Sequence, residues 1–353
     1  KLAGERAGAV HVVGNRIAVM AGTTIDASGV QGGGEILIGG DYHGQGYRGM
    51  LSAPVAAADW GNTPGGYSSL NGTTDAAFFA DYYTREMGLG GPPTASRVFV
   101  DRDTTLLANA LVAGNGGRVI LWSDHGTTYD GHVDVRAGAL GGNGGFIEVS
   151  GKDWLNFSGT ADASARMGEA GMLLLDPADI TISTLANSNI SGATPFQNNT
   201  ASASSNLNVT TLQTALGSAN VTITSAAGTG GLGDITFLDP VSWNSAFALT
   251  VTSSNNIVVS GMISNAGAGN ITLNANVAAA GSITINSNIT TGGSITALAN
   301  RDLTLANPAT LTTGAAGALS LRAAGASTAG TGNLSLLGNL SVGTGNLTLL
   351  SGV

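Results

Sequence analysis

The sequence predicts an all-β fold, a right-handed parallel β-helix. Three observations carry this: a recurring phrase, aliphatic residues alternating within it, and a composition rich in glycine but poor in charge. The phrase is a glycine, any residue, an aliphatic, any residue and an aliphatic, at Gly8, Gly34, Gly117, Gly145 and Gly171. The steps are 26 residues from Gly8 to Gly34, 28 from Gly117 to Gly145 and 26 from Gly145 to Gly171, whereas the 83 from Gly34 to Gly117 imply an insertion. Periods of this length mark units that bury their apolar side only against their neighbours.

Within the phrase the second and fourth positions after the glycine are Val10 and Val12, Ile36 and Ile38, Val119 and Leu121, Ile147 and Val149, and Leu173 and Leu175. The position between them varies: His11, Leu37, Ile120, Glu148, Leu174. Strand side chains alternate between faces, so the pattern describes an inward aliphatic face and an outward one. On that reading Ile147 points in and Glu148 points out. Ile147→Asp should then be strongly destabilising and Glu148→Lys nearly neutral. Right-handed coiling follows from the handedness of parallel crossovers.

The 353 residues include 55 Gly and no Cys, and only 10% are charged. Such a chain is too apolar and too regular for a disordered linker, and no disulfide or thiolate site braces it. Up to Asp179 there are 11 basic and 19 acidic residues; beyond it only Arg301 and Arg322 face Asp234, Asp239 and Asp302. No basic face is present to hold a phosphate backbone, so nucleic acid is not an expected partner. The text opens on KLAGERAGAV with the repeat already under way at Gly8, and the chain is expected to be an excerpt of a longer protein.

Three segments follow. Residues 1–182 form a β-helix with long repeats, in which a second phrase trails each glycine, as TTIDAS from Thr23, HVDVRA from His132, TADASA from Thr160 and a degenerate LLANA from Leu106. Each turn therefore carries at least two strands. The repeat is interrupted over 47–96, an insertion that holds Tyr47, Trp60, Tyr67, Phe78, Phe79, Tyr82 and Tyr83 and reads as a short helix near Thr74 closed by Pro92 and Pro93. Residues 183–216, polar and poorly periodic, read as an irregular loop or join. Residues 217–353 form a β-helix of shorter Thr- and Asn-rich strands; turn starts at Ala248, Asn270, Ser294, Ala318 and Asn346 are 22, 24, 24 and 28 residues apart.

At GGEILIGGDYHGQG (Gly33–Gly46), GNGGRVILWSD (Gly114–Asp124), GGNGGFIEVSGK (Gly141–Lys152) and LLLDPADITIS (Leu173–Ser183) the chain closely resembles the large exoproteins of two-partner secretion, the filamentous-haemagglutinin-like adhesins. The resemblance implies a right-handed β-helix, export, and passage through an outer-membrane β-barrel transporter as partner. The Asn-Pro-Asn motifs of that family's secretion domain are absent, so the resemblance implies a region downstream of that domain. The resemblance supplies no role for the insertion.

Catalytic patterns are sparse. GTGGLG at Gly228–Gly233 fits a dinucleotide glycine motif, but the DITFL after it reads as strand where that motif needs a helix, so it is read as a corner. Asp124 with His125, or Asp41 with His43, could be drawn as acid and base, yet strand neighbours point to opposite faces and no third partner is evident. Asp134 and Asp162 fall at equivalent places on consecutive turns and would repel unless water, Arg136 and Arg166, or a cation intervened. Solvated carboxylates are the reading, with no metal and no cofactor. Sequons such as that at Asn270 are read as corner asparagines rather than glycosylation sites.

The expected function is a secreted protein of the bacterial cell surface, structural or adhesive and not an enzyme. A rigid β-helical shaft would display the insertion to a glycan or protein receptor, or to like subunits in a filament. Trp60, Tyr67 and Tyr83 are the candidate contact residues, because aromatic rings with a polar handle make interfaces and sugar-stacking surfaces. The alternative is a β-helical carbohydrate-binding or polysaccharide-processing protein, which would need clustered acids or bases on a groove-lining strand face.

Overall fold

The computed structural model describes residues 7–44, 93–187, 204–227, 231–275, 281–323 and 332–352. The aromatic-rich 47–92, with Trp60, Tyr67 and Tyr83, and residues 188–203 of the 183–216 join lie outside the described residues. The chain divides into two compact units: residues up to Leu175 with Ser218–Asn220, and the remainder from Asp176. Both are parallel β-helices.

In the first unit each turn has three strands. The first sheet stacks Ala9–Val12, Glu35–Ile38, Arg118–Leu121, Phe146–Ser150 and Met172–Asp176 in parallel. Its register aligns Val10, Ile36, Val119 and Ile147 in one column and Val12, Ile38, Leu121 and Val149 in another, as the phrase predicts. The third sheet holds the second phrase, stacking Thr24–Asp26, Thr105–Leu107, His132–Asp134 and Thr160–Asp162. Between them runs a sheet that no phrase announced, made of Arg16–Val19, Ala95–Val100, Ser123–Tyr129 and Trp154–Phe157. Its strand at Ala95 ends the irregular stretch one or two residues earlier than expected. Inside the coil Tyr129 and Phe157 stack with ring centroids 5.3 Å apart, and the Tyr129 hydroxyl donates to the Thr160 carbonyl. Complete burial, with Asp134 nearby, holds the Tyr129 phenol well above its usual pKa.

The recurring glycine has a steric cause. A Cβ at Gly34 would fall on the carbonyl oxygen of Gly8, one at Gly117 on that of Gly34, one at Gly145 on that of Gly117, and one at Gly171 on that of Gly145. The phrase glycines thus stack turn upon turn, each leaving room for the backbone of the one before.

The second unit also has three sheets. One stacks Asn220–Ser225, Leu249–Ser253, Ile271–Ala275, Ile295–Ala299, Leu319–Arg322 and Leu347–Leu350. Its register pairs Leu249, Ile271, Ile295, Leu319 and Leu347, one residue into each predicted turn start. A second runs from Ser204–Asn208 and Asp179–Ser183 through Ile235–Phe237, Ile257–Val259, Ile283–Ile285 and Leu303–Leu305 to Leu334–Leu336. The third stacks Val241–Trp243, Ile263–Asn265, Ile289–Thr291, Thr310–Thr312 and Asn339–Ser341. Aliphatic residues alternate inward with Thr and Ser outward along most of these strands.

The end of the predicted irregular join is ordered. Ser204–Asn208 is a strand, and Val209–Ala215 a helix capped by the Asn208 side chain, which accepts the Thr210 N–H. Corner asparagines hold successive turns through the next turn's backbone: Asn270 accepts the Ser294 N–H at 2.9 Å and Asn288 the Thr310 N–H at 2.8 Å. Past the partly described glycine motif, Gly233 and Asp234 donate their N–H groups to Asp179 Oδ1 and Ile235–Phe237 is a strand, so this is a corner.

Candidate functional site

Polar side chains converge at two places in the first unit. The first is the outward face of its first sheet, where the sequence reading needs correction. Leu37, Ile120, Phe146 and Leu174 point away from the coil yet are buried, forming a second apolar cluster with Trp122 against which Tyr42 and Met172 pack. Glu148, expected to face solvent, is 0% exposed. A strand apolar on both faces is buried on both, and the aliphatic residues between the inward positions were that signal.

Charged groups sit within this second core. Glu35 Oε1 lies 2.8 Å from His11 Nε2, and Glu35 Oε2 lies 3.3 Å from an Arg118 guanidinium nitrogen. Arg118 also pairs with Asp41. Glu148 accepts the Ser150 hydroxyl at 2.9 Å and the His43 backbone N–H at 3.2 Å. Burial lowers the Arg118 pKa, opposed by the charges of Glu35 and then Glu148. The cluster clamps Asp41–Gly44 to the sheet, fixing where the chain departs after the Gly39–Gly40 bend, whose first residue has φ 78°. Asp41 and His43 belong to this clamp rather than to an acid–base pair. The His11 side chain, 3% exposed, is paired in the same cluster.

On the second sheet, Asp124 accepts from the Thr94 hydroxyl at 2.5 Å and from Trp122 Nε1 at 3.3 Å. His125 turns the other way and meets Asp153 at 2.7 Å on the exposed side. The two neighbours are split between environments, as alternation requires.

The second convergence is the outer face of the third sheet. Asp134 and Asp162 are in register on consecutive turns. Arg136 separates them, its guanidinium 2.8 Å from Asp134 and 3.9 Å from Asp162. Arg166 makes no ion pair among the described residues, so one arginine and not two answers the carboxylates. His132 completes the ladder, with Nε2 2.8 Å from Asp134 Oδ1 and Nδ1 2.7 Å from the Thr160 hydroxyl. The hydrogen bond to Asp134 is the main cause of a raised His132 pKa, against partial burial. Among the described residues no group of three or more His, Asp and Glu is placed to hold a metal ion.

Beside this ladder a groove of about 340 Å³ crosses three turns, floored by Ala110 and Ala137 and edged by Asn109, Arg136, Ser164 and Arg166. Sequence reading named both arginines only as charge partners for the aspartates and missed the groove. Its signal was two arginines at the end of the second phrase in consecutive turns, Arg136 within HVDVRA and Arg166 directly after TADASA.

No model of a known protein family matches the chain. A search of curated proteins likewise returns no match. Among the described residues no helix is long and apolar enough to cross a membrane.

Proposed function

We propose that the chain is part of a secreted structural or adhesive protein of the bacterial cell surface, of the filamentous-haemagglutinin-like kind. On this reading the longer protein leaves the cell through an outer-membrane β-barrel transporter. The observation that carries the proposal is the in-register repetition of parallel turns in both units, whose inward positions are mostly apolar. Such a coil is a spacing scaffold: its core is spent on stacking, and what meets a partner is what the turns carry outward. The insertion, with Trp60, Tyr67 and Tyr83, is the contact element, and its partner is a surface glycan or protein or a like subunit.

Two measurements test this. Antibodies against the chain should label intact cells of the producing organism; a signal seen only after lysis would remove the surface assignment. Purified chain carrying Trp60→Ala, Tyr67→Ala and Tyr83→Ala should keep the wild-type melting curve while losing cell adhesion and self-association. Retention of both activities would take those residues out of the account.

A further inference from the structure

We infer that the groove beside the third sheet of the first unit binds an acidic saccharide, with a sugar carboxylate held by Arg166 and Arg136. The inference rests on the groove alone and stands whether or not the chain is an adhesive scaffold.

The edges of the groove are built from hydrogen-bond donors. Asn109 Oδ1 is already taken by the Arg136 backbone N–H at 2.7 Å, which leaves the Asn109 amide nitrogen as the donor it can offer. Ser164 stands one turn beyond Arg136, its carbonyl accepting the Ala137 N–H at 3.0 Å, and brings a hydroxyl to the same edge. Arg136 lies between Asp134 at 2.8 Å and Asp162 at 3.9 Å, which orient its guanidinium without using all five of its N–H donors and leave Arg166 as the main anchor. Arg166 is exposed and has no ionic partner among the described residues, so a ligand carboxylate would be its first.

The shape is that of an extended site. Three turns at the usual strand spacing span about 10 Å along the stack. A volume of about 340 Å³ lies at the small end for ligand pockets, enough for one or two sugar rings lying on the alanine methyls. Leu111 on the wall is 50% exposed and adds an apolar surface to the alanines. A peptide fits less well. The main-chain groups along the groove are already paired between turns, the Ala110 N–H donating to the Arg136 carbonyl and the Ala137 N–H to the Ser164 carbonyl. They therefore present it with no row of main-chain donors and acceptors of the kind that binds extended peptides. The donors on offer are side chains, suited to hydroxyls and a carboxylate.

The test is calorimetric titration of the whole chain at low salt with a short oligogalacturonate, its methyl-esterified form and an oligoglutamate of matched charge. Saturable binding of the oligogalacturonate is expected, weakened at least about tenfold by esterification, since a hydrogen bond to a charged group is worth a factor of that order. Arg166→Gln should lower affinity by at least about tenfold with an unchanged melting curve, because the side chain is exposed. Ser164→Ala should lower affinity less. Absence of saturable binding, equal affinity for oligoglutamate, or full affinity in Arg166→Gln would each overturn the inference.

Discussion

Glu148→Lys is the substitution on which the two-sided burial of the first sheet most directly depends. The Glu148 side chain is wholly buried and accepts hydrogen bonds from the Ser150 hydroxyl and the His43 N–H, and its charge favours the ionised Arg118 guanidinium. Each hydrogen bond to a charged group is worth about 1.5–3 kcal/mol. Lysine removes both acceptors and sets a second cation near Arg118, and breaking a buried ionic contact from one side costs about 3–5 kcal/mol. A cooperative unit of this size shifts by about 2–4 °C per kcal/mol, so the first unit's melting transition should fall by about 10 °C. Glu148→Gln keeps an acceptor and the shape and should fall by less. The assay is thermal unfolding by circular dichroism at neutral pH, with Ile147→Asp as the inward-facing comparison. A Glu148→Lys melting curve that overlays the wild type while Ile147→Asp collapses would refute the second core and restore a solvent-facing Glu148.

Gly145→Ala places a methyl on the Gly117 carbonyl oxygen, and the turns on either side must part; a loss of about 2–4 kcal/mol in urea unfolding is expected, and a neutral outcome would contradict the glycine stack. Asn265, 1% exposed, accepts from the Ser245 and Gly267 N–H groups and donates to the Ser245 and Gly269 carbonyls; Asn265→Ala removes these bonds and takes the acceptor from both N–H groups, at about 2–4 kcal/mol by the same measurement. His132 has a raised folded-state pKa, so what its protonation contributes to stability is fully present below the ordinary histidine pKa and is lost as pH rises through the folded one. Its ring resonance in NMR should therefore titrate at higher pH than a reference histidine, and Asp134→Asn should bring it down; identical titrations in the two proteins would remove the Asp134 bond from the explanation.

Much of the architecture was legible because a stacked coil repeats its constraints. Gly34, Gly117, Gly145 and Gly171 mark the same seat in successive turns, and the residues two and four places on align as the phrase requires. The middle sheet was not legible. RIAV, ASRVFV, SDHGTTY and WLNF share no wording, because their inward columns are filled by different shapes, with Val19, Val100, Tyr129 and Phe157 in one column. The helix Val209–Ala215 was hidden by its threonines, although Asn208 stood ready as a cap. Burial of Glu148 was missed because a glutamate in the variable position reads as outward; Phe146 two places before it and Leu37, Ile120 and Leu174 on the neighbouring turns betray the second core. The carboxylates were found as a ladder, but the groove beside them depends on side chains from three corners and has no single spacing that a linear reading could detect.

The register also sets a timetable for folding. Joining Leu249 to Ile271 closes a loop of 22 residues and joining Val119 to Ile147 one of 28, whereas joining Ile36 to Val119 closes one of 83. The entropy of closure grows with the logarithm of length, so that one joint costs about 1 kcal/mol more than its neighbours before any contact repays it. Winding can start on either side of the joint without waiting for it, and the seam between the Gly34 and Gly117 turns closes last. In pulse-labelled hydrogen exchange, the Arg118 and Trp122 amides, which cross the seam to the Gly34 and Ile38 carbonyls, should then gain protection later than the Phe146 amide, which donates to Gly117. The first turns of the chain become a separate nucleus, fastened to the rest only after both have formed.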